Sequence, residues 1–169
     1  MRFLIIFIFL LTNLLADEAT DIKNLVINKE LKKYDGLTFL DAKNEKLNLN
    51  EYKGNLIILN FWATWCAPCK EEMPSLDLLQ SNHRLNNLKI FPINVGQEDV
   101  EKASKFFESL KIQDLNLYFD SSVNLTKKFG LRGIPTSILF NKEGKEFARI
   151  IGSINFQDKK FINWLSEYN

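Results

Sequence analysis

The hydrophobic and polar positions in the first half of this chain follow two periods, which predicts strands alternating with helices. Leu56–Trp62 is a near-continuous apolar run, typical of a central strand buried on both faces. From residue 67 to about residue 82 the apolar positions recur at helical spacing, which predicts an amphipathic helix. Lys89–Val95 predicts the next strand, although Pro92 within it argues against a central position in a sheet.

The second half of the chain continues this alternation. The predicted elements are, in chain order, a helix at 98–110, a short extended piece at 115–119, a short helix at 121–129 that Gly130 stops, strands at 137–140 and 146–151, and a helix at 155–168. The turn-rich residues between the two strands predict a β-hairpin. Two short β-like pieces at 37–49 precede the central strand. The alternation predicts an α/β domain with a mixed sheet.

The first sixteen residues differ from the rest of the chain. They place one charge, Arg2, ahead of an apolar run and end on the small residue Ala16. This order predicts a secretory signal peptide, because the run meets polar residues before the roughly 20 apolar residues of a spanning helix. An uncleaved membrane anchor is the alternative, since Leu14 is larger than signal cleavage sites prefer.

Composition and charge indicate a folded domain and argue against nucleic-acid binding. We expect a tether over residues 17–33 and one folded domain over residues 34–169. A chain that is 46% hydrophobic and 25% charged is not disordered by composition. Its 22 basic and 21 acidic residues nearly balance, whereas a nucleic-acid-binding protein usually has a basic excess. We therefore expect no nucleic-acid partner.

Cysteine usage is more informative than composition. The chain has two cysteines, Cys66 and Cys69, separated by two residues, so it is not a disulfide-rich scaffold. Such a pair is a local structural disulfide, half of a metal site or a redox centre. A zinc site needs four ligands, and neither Glu72 nor His83, the lone histidine, comes with a second ligand pair. We expect no metal and no cofactor.

The cysteines lie where the buried strand ends and a helix begins. Unpaired N–H groups and the positive end of the helix dipole favour a thiolate there, and thiolate is the attacking species in disulfide exchange. Cys66, nearer the helix tip, is the expected exposed nucleophile. Cys69, one turn further in, is expected to be more buried and to resolve the mixed disulfide. A purely structural disulfide is less favoured, because so small a ring removes little loop entropy.

Two motifs resemble a known family. Residues 61–74 (FWATWCAPCKEEMP) resemble the active-site signature of thioredoxin-fold proteins, and more narrowly that of the exported TlpA/ResA-like thiol–disulfide oxidoreductases. Residues 130–136 (GLRGIPT) match the second signature of that fold, and the β-like pieces at 37–49 match the family's additional N-terminal hairpin. The resemblance covers about residues 34–166. It implies a thioredoxin-like fold with a central mixed sheet flanked by helices.

The resemblance also implies a substrate-binding surface. The Ile134–Pro135 peptide bond is expected to be cis and to face the cysteine pair. The Ile134 backbone would then pair with an extended substrate segment, while Pro135 keeps a competing N–H group away from the sulfurs. We expect Trp65, Ala67 and Pro68 to complete this surface.

Glu72 is the candidate acid of the site. It lies three positions after Cys69, so helix geometry places it beneath the redox pair, where a partly buried carboxylate exchanges protons with the thiols. In ResA-like proteins the matching glutamate is functional. The alternative is a solvated acid that complements the helix dipole, as we expect of Glu71. The chain departs from cytosolic thioredoxins at Asn60, where they have a buried aspartate. It departs from some ResA-like proteins at Gln97, where they have a second acid.

The expected function is that of a periplasmic thiol–disulfide oxidoreductase. The resemblance favours a monomeric reductant of protein disulfides, including those of apocytochrome c, with a membrane thiol-transfer protein as electron donor. A disulfide-forming oxidase and a non-catalytic binding module or chaperone are the alternatives. Peroxidase activity is less favoured, because peroxiredoxin-like sites have Thr three residues before the reactive Cys and this chain has Ala63.

Overall fold

The computed structural model of the protein describes residues 22–120 and 124–169. The predicted signal peptide at 1–16 lies outside the described residues. Within them, no helix has the length and apolar character needed to cross a bilayer.

The described residues form strands, four α-helices and one 3-10 helix. The strands are β1 (Leu25–Lys32), β2 (Thr38–Asp41), β3 (Lys46–Asn48), β4 (Leu56–Trp62), β5 (Leu88–Asn94), β6 (Tyr118–Phe119), β7 (Thr136–Phe140) and β8 (Glu146–Ile151). The helices are α1 (Ala67–Gln80), α2 (Val100–Ser109), α3 (Asn124–Lys128) and α4 (Lys159–Ser166), with the 3-10 helix at Leu49–Tyr52.

All eight strands join one mixed sheet in the order β1-β8-β7-β4-β5-β6-β2-β3. β4 runs parallel to β5 and antiparallel to β7, and β7 and β8 form the predicted hairpin. β2 and β3 form the predicted N-terminal hairpin, which joins the sheet through β6. The predicted thioredoxin-like architecture is therefore confirmed.

β4 lies between two hydrophobic cores, which explains its continuous apolar sequence. Its side chains alternate between the faces of the sheet. Leu56, Ile58 and Trp62 join the core that contains residues of α1, α2 and α4. Ile57 and Phe61 join the opposite core, which contains residues of α3. By the same alternation, Asn60 faces α1, and it is completely buried.

The structure differs from the predicted tether over residues 17–33. Residues 25–32 are β1, which pairs antiparallel with β8, so the folded domain begins before residue 34. Val26, Ile27 and Leu31 of this strand are about half exposed. β1 is held by backbone pairing at the edge of the sheet and buries few side chains, so it leaves no alternating pattern in the sequence.

β5 lies inside the sheet, contrary to the expectation drawn from Pro92. β4 pairs with the whole of β5, whereas β6 pairs only with Ile93 and Asn94. The part of β5 before Ile93 thus has a strand partner on one side only among the described residues. A proline is tolerated there because it removes no second ladder of hydrogen bonds.

The helix ends agree with the sequence within a few residues. α3 is followed by Gly130, which has a φ of 60°, and the Leu131 N–H donates to the Thr126 carbonyl, as in a Schellman motif. α4 begins later than predicted, because Asp158 caps it and residues before this cap form a turn.

Candidate active site

The two cysteines form a disulfide at the N-terminus of α1. β4 ends at Trp62, a short turn follows, and Cys66 is the N-cap residue of the helix. The Cα atoms of Cys66 and Cys69 are 5.3 Å apart. The Cys69 N–H points at the Cys66 sulfur, at an N···S distance of 3.3 Å. This helix-end donor favours negative charge on Cys66 when the disulfide is open.

The two sulfurs differ in exposure less than expected. Cys69 is fully buried, as expected, but Cys66 is only 5% exposed. The expectation of an exposed Cys66 is thus wrong for the disulfide form, because the bond holds its sulfur against the buried Cys69. The more accessible of the two is still Cys66.

Exposed residues surround the cysteines on the surface. Trp65 is 68% exposed, and Ala67 and Pro68 are also exposed. Trp62, at the other end of the turn, is buried and stacks on Phe106 and Phe107. The motif therefore has one aromatic residue anchored in the core and one presented to solvent.

The second motif lies beside the first, since Thr136 pairs with Phe61 across β7 and β4. The Ile134–Pro135 peptide bond is cis, as the resemblance implied. Ile134 packs against the core that contains both cysteines, and Pro135 is buried. The Pro135 carbonyl accepts the Gly152 N–H at 2.9 Å, which ties this loop to the end of β8.

Glu72 is a buried carboxylate one helical turn after Cys69. It is 2% exposed and accepts the Asn60 side-chain N–H at 2.8 Å and the Ile154 backbone N–H at 3.3 Å. Burial raises the pKa of Glu72 to about 7, although both hydrogen bonds oppose the shift. Glu71, by contrast, is exposed, which agrees with the expectation that it is a solvated acid.

A second acid, Glu98, was not singled out by the sequence; the residue is partly buried, and its side chain is 3% exposed. Its carboxylate accepts hydrogen bonds from the backbone N–H and the hydroxyl of Thr64 and from the Asn94 side-chain N–H. It also forms an ion pair with Lys102 at 2.7 Å. Burial opposes its ionisation, but these donors outweigh burial and lower the pKa of Glu98 to about 2. Glu98 is therefore a fixed anion that holds the turn before Cys66.

This acid lies one residue after Gln97, the position at which some ResA-like proteins have their second acid. Gln97, at the position where a second acid was sought, is exposed, and Glu98 follows it. One clue was available, because the parallel strands β4 and β5 end at the same edge of the sheet. An acid shortly after β5 is thus brought close to the motif that follows β4.

Within the described residues, no group of three or more His, Cys, Asp or Glu side chains is arranged to hold a metal ion. The chemistry of this site rests on the disulfide, on one carboxylate that titrates near neutrality and on one that stays charged.

A disulfide at a helix N-terminus, a buried glutamate one turn later on that helix and a cis-proline loop that packs on the same core define a redox site of the thioredoxin-fold class. A family model described as the AhpC/TSA family matches residues 22–145. The chain belongs to the AhpC/TSA family and groups with the ResA-like thiol–disulfide oxidoreductases.

Two curated relatives carry that assignment. The thiol–disulfide oxidoreductase ResA of Bacillus thuringiensis subsp. konkukian is 33% identical over 114 residues, 66% of this chain and 64% of the relative. This chain thus spans slightly less than two thirds of that relative. ResA of Bacillus thuringiensis strain Al Hakam is 30% identical over 132 residues, 78% of this chain and 73% of the relative.

Two solved structures are also similar. StoA from Bacillus subtilis is 28% identical, with a TM-score of 0.63, and the match covers 76% of this chain and 94% of StoA. A secreted thiol–disulfide isomerase from Corynebacterium glutamicum has a TM-score of 0.71 at 18% identity, covering 86% of this chain and 93% of that one. The second likeness concerns the fold alone.

Proposed function

We propose that this protein is an exported reductant of protein disulfides that works by dithiol–disulfide exchange. The observation that carries the proposal is the Cys66–Cys69 disulfide at the start of α1, with Glu72 buried one turn later. The ResA-like relatives support the same class of reaction.

In the proposed reaction the reduced dithiol donates two electrons to the substrate. The Cys66 thiolate attacks one sulfur of a substrate disulfide, and the other substrate sulfur leaves as a thiolate. Cys69 then loses its proton and attacks the Cys66 sulfur. The second substrate thiolate leaves, and the Cys66–Cys69 disulfide forms again.

Glu72 is the proposed proton acceptor for Cys69. A carboxylate whose pKa lies near 7 can take up a proton and release it again close to neutral pH. Cys69 is fully buried and far less able than Cys66 to lose its proton to bulk water. A buried base on the same helix removes that obstacle.

The substrate is proposed to lie across the exposed side of the disulfide. Trp65, Ala67 and Pro68 offer apolar surface, and the backbone beside Ile134 offers hydrogen bonds to an extended chain. Pro135 has no N–H group and leaves the sulfurs without a competing donor. The surface recognises backbone shape, which suits a protein substrate.

The proposed compartment is the periplasm, and it has a consequence for electron supply. The leader at 1–16 predicts export. A bacterial periplasm is kept oxidising, so a reductant there needs its own electron source. We propose a membrane thiol-transfer protein as donor and disulfides such as those of apocytochrome c as substrates.

Insulin reduction and the reduction potential of the pair test the proposal. We expect insulin reduction by the reduced protein, none by the Cys66→Ser variant, and a potential below about −200 mV. A potential near the roughly −120 mV of strong oxidants would instead identify a disulfide-forming oxidase. If a variant with both cysteines replaced by serine fully complemented a strain that lacks this protein, the result would indicate a binding module or chaperone.

Substrates can be captured with the Cys69→Ser variant, which lacks the resolving sulfur. We expect mixed disulfides on Cys66 that are released by dithiothreitol and absent from the Cys66→Ser variant. Rapid peroxide consumption by the reduced protein, followed by stopped flow, would point to a peroxidase and away from a disulfide reductant.

A further inference from the structure

Asn60 lies in a buried polar group that links the sheet to Glu72. It pairs directly with Ser137 across β4 and β7, so the two side chains share the face of the sheet that α1 covers. The Asn60 side-chain nitrogen donates to Glu72 at 2.8 Å and to the Ser137 hydroxyl oxygen at 3.0 Å. Asn60, Glu72 and Ser137 are each at most 2% exposed.

The hydrogen bonds of Asn60 are unevenly satisfied. Both of its side-chain N–H groups have acceptors, but its Oδ1 atom is buried without a partner among the described residues. A buried carbonyl oxygen that lacks a donor is uncommon and unfavourable. The observed orientation is therefore stabilised by the acceptors on its nitrogen side, above all by the Glu72 carboxylate.

The opposite orientation of the amide suits the opposite protonation state. A half turn about the terminal bond of Asn60 places its oxygen toward Glu72 and Ser137. The Ser137 hydroxyl can then donate where it formerly accepted. Glu72 can donate to that oxygen only when its carboxyl group is protonated. The opposite orientation is thus open only to protonated Glu72, whereas the observed orientation gives the carboxylate its donor.

We propose that Asn60 is a positioning residue that turns its side-chain amide over when Glu72 gains or loses a proton, with Ser137 as its partner in both orientations. The inference rests on the proposed function, because it assigns a proton-handling role to Glu72. It extends that function by adding two residues that set how tightly Glu72 holds its proton. An aspartate at position 60 would be a second acid, whereas the neutral amide adapts to either state without titrating.

Protons can reach Glu72 from a side other than the disulfide surface. A cavity of about 770 Å³ lies between α1 and the segment after β8, and Glu72 lines it. Lys23, Glu71 and Asp158 are the charged residues that share the cavity, while Asn60 and Ser137 approach Glu72 from the sheet. Glu72 can therefore equilibrate with solvent while a substrate covers the cysteines.

Nuclear magnetic resonance of the oxidised protein tests the inference without turnover. We expect the side-chain amide signals of Asn60 to change with pH at the midpoint of the Glu72 carboxyl carbon. Their nuclear Overhauser contacts should switch sides at the same midpoint. In the Glu72→Gln variant the Asn60 signals should be independent of pH. Amide signals that stay constant while Glu72 titrates would overturn the inference.

Two variants measure the size of the effect. Asn60→Ala removes a donor to the Glu72 anion, so we expect the Glu72 midpoint to rise by about one pH unit, a tenfold change in proton affinity. Ser137→Ala removes one partner of the Asn60 amide, so the amide should be less restricted to one orientation. We expect the Glu72 midpoint to shift less than in Asn60→Ala. The control is Asn163→Ala, an exposed asparagine on α4 that contacts Arg84. An unchanged midpoint in Asn60→Ala would contradict the inference.

The outcomes separate this inference from the proposed function. Asn60 amide signals that follow the Glu72 titration, in a protein that does not reduce insulin, would support the positioning role and contradict the reductant proposal. Insulin reduction with a static Asn60 amide would leave the reductant proposal intact and remove the role of Asn60.

Discussion

Glu72 and Glu98 both have carboxylates largely shielded from solvent beside the cysteine motif, yet their pKa values move in opposite directions. Glu72 has two donors, neither of them charged, and burial dominates. Glu98 has the Lys102 ammonium and three further donor groups, which together outweigh burial. The number and charge of the donors decide which acid titrates near neutral pH and which stays ionised.

The stability of the oxidised protein should carry the signature of Glu72. The pKa of Glu72 is about 7 in the folded protein, against 4.5 for an unperturbed glutamate, so the unfolded chain releases this proton at lower pH. The contribution of Glu72 to the free energy of unfolding therefore falls as pH rises from about 4.5 to 7, by up to roughly 3 kcal/mol. Urea unfolding at pH 5 and pH 8 measures it.

The Glu72→Gln variant isolates this contribution from other titrating groups. We expect it to gain stability relative to wild type as pH rises, because glutamine carries no charge to bury. A difference between the two proteins that stays constant from pH 5 to pH 8 would contradict the raised pKa.

Glu98→Gln should loosen the turn before Cys66. We expect a loss of about 1–3 kcal/mol at pH 7, since the charge-assisted bonds to Thr64 and Lys102 weaken. The loss should shrink as pH falls from about 4.5 toward 2, because wild-type Glu98 is then protonated as well. Faster quenching of the exposed Trp65 by iodide should accompany it.

Glu101→Gln, in the first turn of α2 three residues after Glu98, is the matched control. Glu101 also pairs with a lysine four residues later, but its side chain is 77% exposed. We expect little change in stability or in Trp65 quenching, because an exposed ion pair contributes little. Equal effects in the two variants would show that burial of Glu98 is not what matters.

At the scale of elements, α1 is held at both ends, and a side chain of the sheet, Asn60, donates a hydrogen bond to it. Its N-terminus carries the disulfide, and Asp77 near its other end accepts backbone N–H groups from Gln113, Asp114 and Leu115. This carboxylate ties the segment before β6 to α1. Its role is structural, since it lies two turns from Cys69.

Asp77→Ala should therefore destabilise the fold without changing the redox chemistry. Three backbone N–H groups lose their acceptor, and we expect a loss of about 3 kcal/mol with an unchanged reduction potential. Asp114→Ala, which removes an exposed carboxylate from the same segment, is the control. Chemical denaturation and a glutathione titration provide the two readouts. A shifted potential would mean that α1 moves with its anchor.

At the scale of the whole molecule, a network around one ion pair of β8 joins segments that are distant along the chain. Arg149 of β8 binds Glu146, whose side chain is fully buried, and donates to the Phe129 carbonyl at 2.9 Å. Tyr34 and Asn28 also donate to Glu146, at 2.7 and 2.8 Å. The network thus connects the N-terminal segment, the hairpin and the loop that leads to the cis proline.

Removing the Arg149 cation from this network should destabilise the fold, and neutralising Glu146 as well should partly reverse that loss. Arg149→Met leaves the buried Glu146 carboxylate with Lys32 alone as a cation, at 3.8 Å, and we expect a loss of about 3 kcal/mol. Adding Glu146→Gln should recover part of that loss. A double-mutant cycle by urea unfolding measures the coupling. Additive losses would show that the pair does not act as a unit.

Much of the fold could be predicted because its determinants are local. The apolar run of β4, the helical spacing of α1 and the turn between β7 and β8 lie within short stretches of sequence, where periodicity reports burial directly. β1 could not be predicted, since it depends on pairing with β8 more than 100 residues later and buries little. The position of Pro92 was misjudged because its tolerance depends on the shortness of β6.

The sequence alone determined the redox chemistry of this protein. Two cysteines three positions apart at a strand-to-helix junction can close a disulfide because one helical turn brings them together, and the two family motifs around them indicated a redox role. The tertiary structure decided how protons and charge are managed around that pair. Glu72 meets Asn60 and Ser137, and Glu98 meets Thr64, only after folding. A pKa depends on donors and burial in three dimensions, and neither is encoded by local spacing.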